Sequence, residues 1–152
     1  MDHPRFFPPF VRDSFDGFQY LRDNYLLSVT TMVSMDPKTA VKNYQFGERA
    51  KSELIILSQL CMALPSISEN ERGGAKKMLL MMMESVRNEL QYAANSTGHR
   101  EFGKAVTSLS TAISLVESNQ PEGAVEKIAA AVSAATTPAQ EAWQVLSEHG
   151  LL

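Results

Sequence analysis

Between Ala75 and Ala94 the chain reads AKKMLLMMMESVRNELQYAA, with no Gly, no Pro and no turn signal. Ala75, Leu79, Met82, Val86, Leu90 and Ala93 recur at three- and four-residue intervals, which places them on one face of a helix. Lys77, Glu84, Asn88 and Gln91 fall opposite, and Leu80, Met81 and Met83 widen the apolar side. A stripe this broad predicts a helix with neighbours on more than one side, and the rest of the chain is organised around it.

The same periodicity predicts helices on both sides. A helix from about Ser14 to Met35 is expected, with Asp13 as its cap and Phe18, Leu21, Tyr25, Ser28 and Met32 along one side. Asp36-Pro37 is a start signal, a capping side chain followed by Pro at the first helical position. The helix it opens is expected to reach Ala63, with Ala40, Tyr44, Gly47, Ala50, Leu54, Leu57 and Cys61 as its stripe. Gly47 inside it costs roughly 1 kcal/mol relative to Ala, and the close approach of another helix would account for it. Pro65 ends the element. Ser66 with Glu69, or Ser68 with Glu71, forms a capping box for the next helix. Gly73-Gly74 weakens its first turn, so regular helix is expected only from Ala75, and Gly98 is expected to close it in the left-handed conformation.

A fourth helix is expected from about Arg100 to Ser118 on Phe102, Val106, Leu109, Ile113 and Val116, and a fifth from Pro121 to Ala135. A last one should open at Thr137-Pro138, carry Trp143 and Leu146, and end before Gly150. Ala105-Val106, Leu109 and Ala112-Ile113 are echoed by Ala124-Val125, Ile128 and Ala131-Val132. Two copies are too few for a repeat array, so the echo reads as two helices with the same packing need. The fold class is therefore all-α: an antiparallel up-and-down helical bundle of about four long helices plus one or two shorter C-terminal helices, in a single domain over 1–152. Residues 1–12 form an extended Phe/Pro-rich N-terminal arm, because Pro4, Pro8 and Pro9 rule out helix there.

Composition adds exclusions. A net charge of −3 argues against a protein that holds nucleic acid by bulk charge. No apolar run approaches membrane-spanning length. The segment MDHPRFFPPF lacks the order of a secretory signal, and the one cysteine, Cys61, sits on an apolar stripe. A cytoplasmic protein with a structural thiol is expected.

Candidate chemistry is sparse. His3, His99 and His149 stand at element boundaries and none follows a Glu by three residues, so no metal site of the helical-bundle type is expected. Gly73-Gly74 lacks the other features of a phosphate loop. No catalytic residue and no cofactor is assigned. Two surfaces remain. Phe6, Phe7 and Phe10 in the arm, with Met81 and Met83, form a candidate interaction surface, since Met78, Met81, Met82 and Met83 cannot all face one core. Lys38, Lys42, Arg49, Lys76 and Lys77 form a candidate basic face, whereas the chain after Lys104 carries five Glu and one Lys. No aromatic residues are interleaved with those cations for base stacking. The leading expectation is a non-catalytic helical interaction protein that forms a homodimer or meets a protein partner. A nucleic-acid-associated subunit using the basic face is the first alternative, and an enzyme or ligand-binding bundle with a hidden core site is the second.

Overall fold

The computed structural model describes residues 35–152. The expected helix from Ser14 to Met35, and the arm carrying Phe6, Phe7 and Phe10, lie outside the described residues but for Met35 itself. Four helices are packed together: α1 (Pro37–Ala63), α2 (Glu69–Thr97), α3 (Arg100–Glu117) and α4 (Pro121–Glu148), with a 3-10 turn at Leu64–Ser66. There is no strand among the described residues. Helix α1 packs on α2, α2 on α3 and α3 on α4, and the most extensive contact of all closes the ring between α1 and α4.

The start of α1 follows the sequence signal. The Asp36 carboxylate accepts the Thr39 backbone N–H at 3.1 Å, with Pro37 in the first turn. The hydroxyl of Thr39 also donates to Asp36, and these bonds hold the carboxyl below its ordinary range. At α2, Ser68 is the cap position, and its hydroxyl donates to Glu71 at 2.6 Å. The guanidinium of Arg72 donates to the carbonyls of Pro65 and Ile67, which ties the preceding turn to the helix. Helix therefore begins at Glu69, and Gly73-Gly74 lie inside it rather than before it. The turn at Leu64–Ile67 supplies the anchoring that the glycines lack. Gly98 closes α2 at φ 68°, donating its N–H to the carbonyl of Ala94.

The two expected C-terminal helices are one. Helix α4 runs unbroken for 28 residues with Pro138 inside it. A proline there lacks the N–H that would reach the carbonyl four residues back, at a cost of about 3 kcal/mol. Packing offsets that loss: Pro138 is fully buried, and Ala135, Ala139 and Ala142 flank it in the core. The hydroxyls of Thr136 and Thr137 also donate to Val132 and Ser133 carbonyls in the turn before it.

Gly47 explains the closeness of α1 and α4. A Cβ placed on it would stand 2.7 Å from the Cβ of Ala139 and 2.9 Å from the carbonyl oxygen of Ala135. The helices meet there with no room for a methyl group, as the sequence anticipated. The core itself is built from Leu54, Leu57, Met83, Leu90, Phe102, Leu109, Val116 and Ile128, with Cys61 among them. Burial pushes the Cys61 thiol up to about 11. Two stripe assignments change. Asn43 is buried where Tyr44 was expected, and Tyr44 is half-buried. Met83 is buried where Met82 was expected, and Met82 is exposed.

Candidate interaction surface

The crease between α1 and α2 has a readable order. Along α1, Phe46, Arg49, Glu53, Ile56 and Leu60 follow one another at three- and four-residue steps, and so do Tyr92, Glu89, Ser85, Met82 and Met78 along α2. Such spacing sets each group in a line down its helix. Phe46 meets Tyr92 edge to face with ring centroids 5.8 Å apart, and meets Phe102 of the core at 6.3 Å. One step along, Arg49 bridges both helices: its Nη2 is 2.6 Å from Glu89 and its Nε is 2.9 Å from Glu53. The hydrogen bond to Glu53, then the charge of Glu89, push the guanidinium above its already high range. These exposed charges are screened by water, so they fix geometry more than they stabilise.

Beyond that polar cluster the surface turns apolar. Ile56 (48% exposed), Leu60, Met78 (69%) and Met82 all stand open to solvent, with Met81 beside them on the outer ridge of α2. Ile55 and Met62 are also exposed, on the flank of α1 nearer α4. Scattered apolar side chains on a surface are ordinary; Ile56, Leu60, Met78 and Met82 fall on the two lines that define the crease.

Of the residues singled out from sequence, Met81 is exposed and belongs to this surface. Met83 does not: it is 0% exposed and part of the core, so it cannot meet a partner. Phe6, Phe7 and Phe10 lie outside the described residues. The sequence reading missed Ile55, Ile56 and Leu60. Its available signal was the run Leu54-Ile55-Ile56-Leu57, four consecutive apolar residues that no single helix face can absorb.

The basic residues are differently employed. Lys38 and Lys42 stand exposed on the first two turns of α1. Arg49 is held by the two glutamates described above. The ammonium of Lys76 donates to the carbonyl of Glu117 at 2.8 Å and to the side chain of Asn119 at 2.9 Å, capping the end of α3. Lys77 lines a cleft of about 480 Å³ beside Leu80, Met81, Glu84 and Glu117. Two of the five cations are thus tied into helix contacts and are not presented as an open basic stripe.

The two described histidines, His99 and His149, have structural neighbours. His99 caps α3, its Nδ1 accepting the Glu101 backbone N–H at 3.3 Å while Nε2 lies 2.8 Å from Glu141 of α4. His149 bonds the carbonyl of Val145. Among the described residues no three His, Cys, Asp or Glu side chains gather as metal ligands, and no helix is long and apolar enough to cross a membrane. Comparison with protein-family models, with curated proteins and with solved structures finds no match to this chain.

Proposed function

We propose that this bundle is a non-catalytic interaction module that pairs with a second copy of itself through the apolar half of the α1–α2 crease. The observation that carries the reading is the exposure of Ile56, Leu60, Met78 and Met82 beside one another on two neighbouring helices. The reading includes an antiparallel, up-and-down order of the helices. Its support is the pairing of Phe46 with Tyr92 and Arg49 with Glu89, in which residue numbers rise on one helix as they fall on the other. Lys76 near the start of α2 reaches the end of α3, and His99 at the start of α3 reaches Glu141 near the end of α4, which fits the same order. Continued along the crease, this register sets Ile56 level with Met82 and Leu60 level with Met78. Four such side chains make a compact patch flanked at one end by the Arg49 cluster. A patch of this kind can meet its own copy across a two-fold axis, the commonest symmetry of small oligomers. Methionine suits the task, because its unbranched side chain repacks readily against a partner. The same reading assigns the protein to a reducing, cytoplasmic setting, where the single buried thiol needs no partner.

The test is mass in solution against concentration, by sedimentation or light scattering, for the wild type and for Ile56→Glu combined with Met78→Glu. The expected result is a dimer for the wild type and a monomer for the double variant, with the helical circular dichroism spectrum retained because both positions are exposed. A wild type that stays monomeric at every concentration, or a double variant that dimerises as well as the wild type, overturns the reading.

A further inference from the structure

On the other flank of α1, away from the crease, a cleft of about 350 Å³ opens between α1 and α4, lined by Tyr44, Glu48, Ala139, Gln140 and Trp143. Its construction follows from the close contact at Gly47. Because α1 and α4 touch at Gly47 and Ala139, the small residue becomes the floor. The large side chains one turn away on each helix, Tyr44 and Trp143, become walls. Trp143 is 56% exposed, an unusual state for the largest apolar side chain unless its face is used.

We propose that this cleft binds an alkylated ammonium group carried by a small molecule, with Tyr44 and Trp143 as aromatic walls and Glu48 as counter-charge. Aromatic faces attract a cation through their negative quadrupole, and tryptophan does so best. An alkylated ammonium also brings methyl groups that are better covered by apolar walls than by water. Among the described residues the one charged group lining the cleft is the carboxylate of Glu48, so the sign of the site fits a cation. Glu48 already has one partner: its Oε2 lies 2.6 Å from the ammonium of Lys51, one turn along α1. That pair keeps the carboxylate in place and makes Lys51 an internal competitor for it. Removing Lys51 should therefore strengthen binding, whereas neutralising Glu48 should weaken it. A merely apolar groove would respond to neither change. The site shares no residue with the α1–α2 crease, so it stands or falls independently of self-association.

Trp143 is the chain's one tryptophan, so its fluorescence reports on this cleft directly. The full chain is titrated with choline chloride at constant ionic strength, and in parallel with 3,3-dimethyl-1-butanol, which has the same shape without the charge. The expected result is a saturable change with choline that is at least about tenfold weaker with the neutral isostere. Glu48→Gln should weaken choline binding and Lys51→Met should tighten it, in proteins whose circular dichroism matches the wild type. Tyr44→Leu, which removes one wall, supplies a second loss-of-binding variant should Glu48→Gln fail to fold. Equal affinity for the two probes, an unchanged affinity in the folded Glu48 and Tyr44 variants, or no saturable change with choline overturns the proposal.

Discussion

Substituting alanine at Gly47, and at Gly73 or Gly74, should move stability in opposite directions, although all three glycines lie inside helices. Alanine at any helical glycine gains about 1 kcal/mol of intrinsic propensity. At Gly73 and Gly74 nothing lies within 4 Å of the added methyl group, so the gain is kept. Each variant should be stabilised by about 0.5–1 kcal/mol. At Gly47 the new carbon would sit 2.7 Å from the Ala139 Cβ and 2.9 Å from the Ala135 carbonyl oxygen, which is backbone and cannot rotate away. Helices α1 and α4 must then part by about 1 Å, and a gap of that size forfeits up to half of each dispersion contact along the seam. Overpacking of this kind costs about 1–3 kcal/mol, which leaves a net loss of up to about 2 kcal/mol after the propensity gain. For a chain of this length that is a fall in melting temperature of up to about 8 °C. Thermal and urea unfolding of the three single variants measure the contrast. Ala139→Gly should cost less in the Gly47→Ala protein than in the wild type, because there it also removes one of the two obstructing atoms. A Gly47→Ala protein that melts above the wild type, by as much as the Gly73 and Gly74 variants, would refute the argument, since it would mean that α1 and α4 do not touch at Gly47.

Two further outcomes follow from burial. Met83→Ala should cost about 2–5 kcal/mol, as truncation of a buried Met does, whereas Met82→Ala should stay within about 0.5 kcal/mol, and urea unfolding of both in protein dilute enough to be monomeric decides which methionine faces the core. Cys61 should resist a thiol reagent at neutral pH until the protein unfolds, because its pKa is pushed up to about 11 by burial. The folded form also holds that proton where the unfolded thiol, at its ordinary value of 9.0, has lost it. Stability is therefore full below that value and falls as pH rises through the range up to about 11, by about 2–3 kcal/mol in total. Cys61→Ala should lack this component of the alkaline slope, and identical pH profiles for the two proteins would contradict it.

The all-helical class, both ends of α1 and α3 and the close of α2 were legible because caps and breakers are local. Asp36-Pro37, Pro65, Gly98 and Pro121 act within a turn of where they stand. The faces were less legible where two neighbouring positions satisfy the same spacing. Met82 and Met83 each lie about 50° from the axis of the stripe formed by Leu79, Val86, Leu90 and Ala93, so periodicity cannot separate them. The choice falls to whichever side the next helix occupies, and that is a tertiary fact. Asn43 was passed over for Tyr44 because it is polar, although it lies nearer the middle of the buried face. Pro138 misled for the opposite reason. Its local meaning is a break, and only the α1 contact at Ala135 and Ala139 makes continuing the helix cheaper than ending it. The surface proposed for pairing was half visible: Met81 could be read from its crowded neighbours, but Ile56 and Leu60 lie off the stripe of Ala50, Leu54, Leu57 and Cys61 and drew no reading. The aromatic cleft was not visible, because Tyr44 and Trp143 stand 99 residues apart and only the closing of the ring brings them to one place.

That ring closure has a consequence for the order in which the chain can mature during synthesis. The contacts of α1 with α2, α2 with α3 and α3 with α4 join segments adjacent in sequence, and each can form as soon as its second helix is made. The largest contact joins the first described helix to the last. Until Pro121–Glu148 has cleared the ribosome, the Ala40, Gly47 and Ala50 side of α1 has no surface to lie on and Pro138 has no packing to keep it helical. The nascent bundle is therefore an incomplete layer with an open apolar face for as long as it takes to translate α2, α3 and α4, a window in which chaperone engagement, or mispairing with a neighbouring nascent copy, competes with native closure.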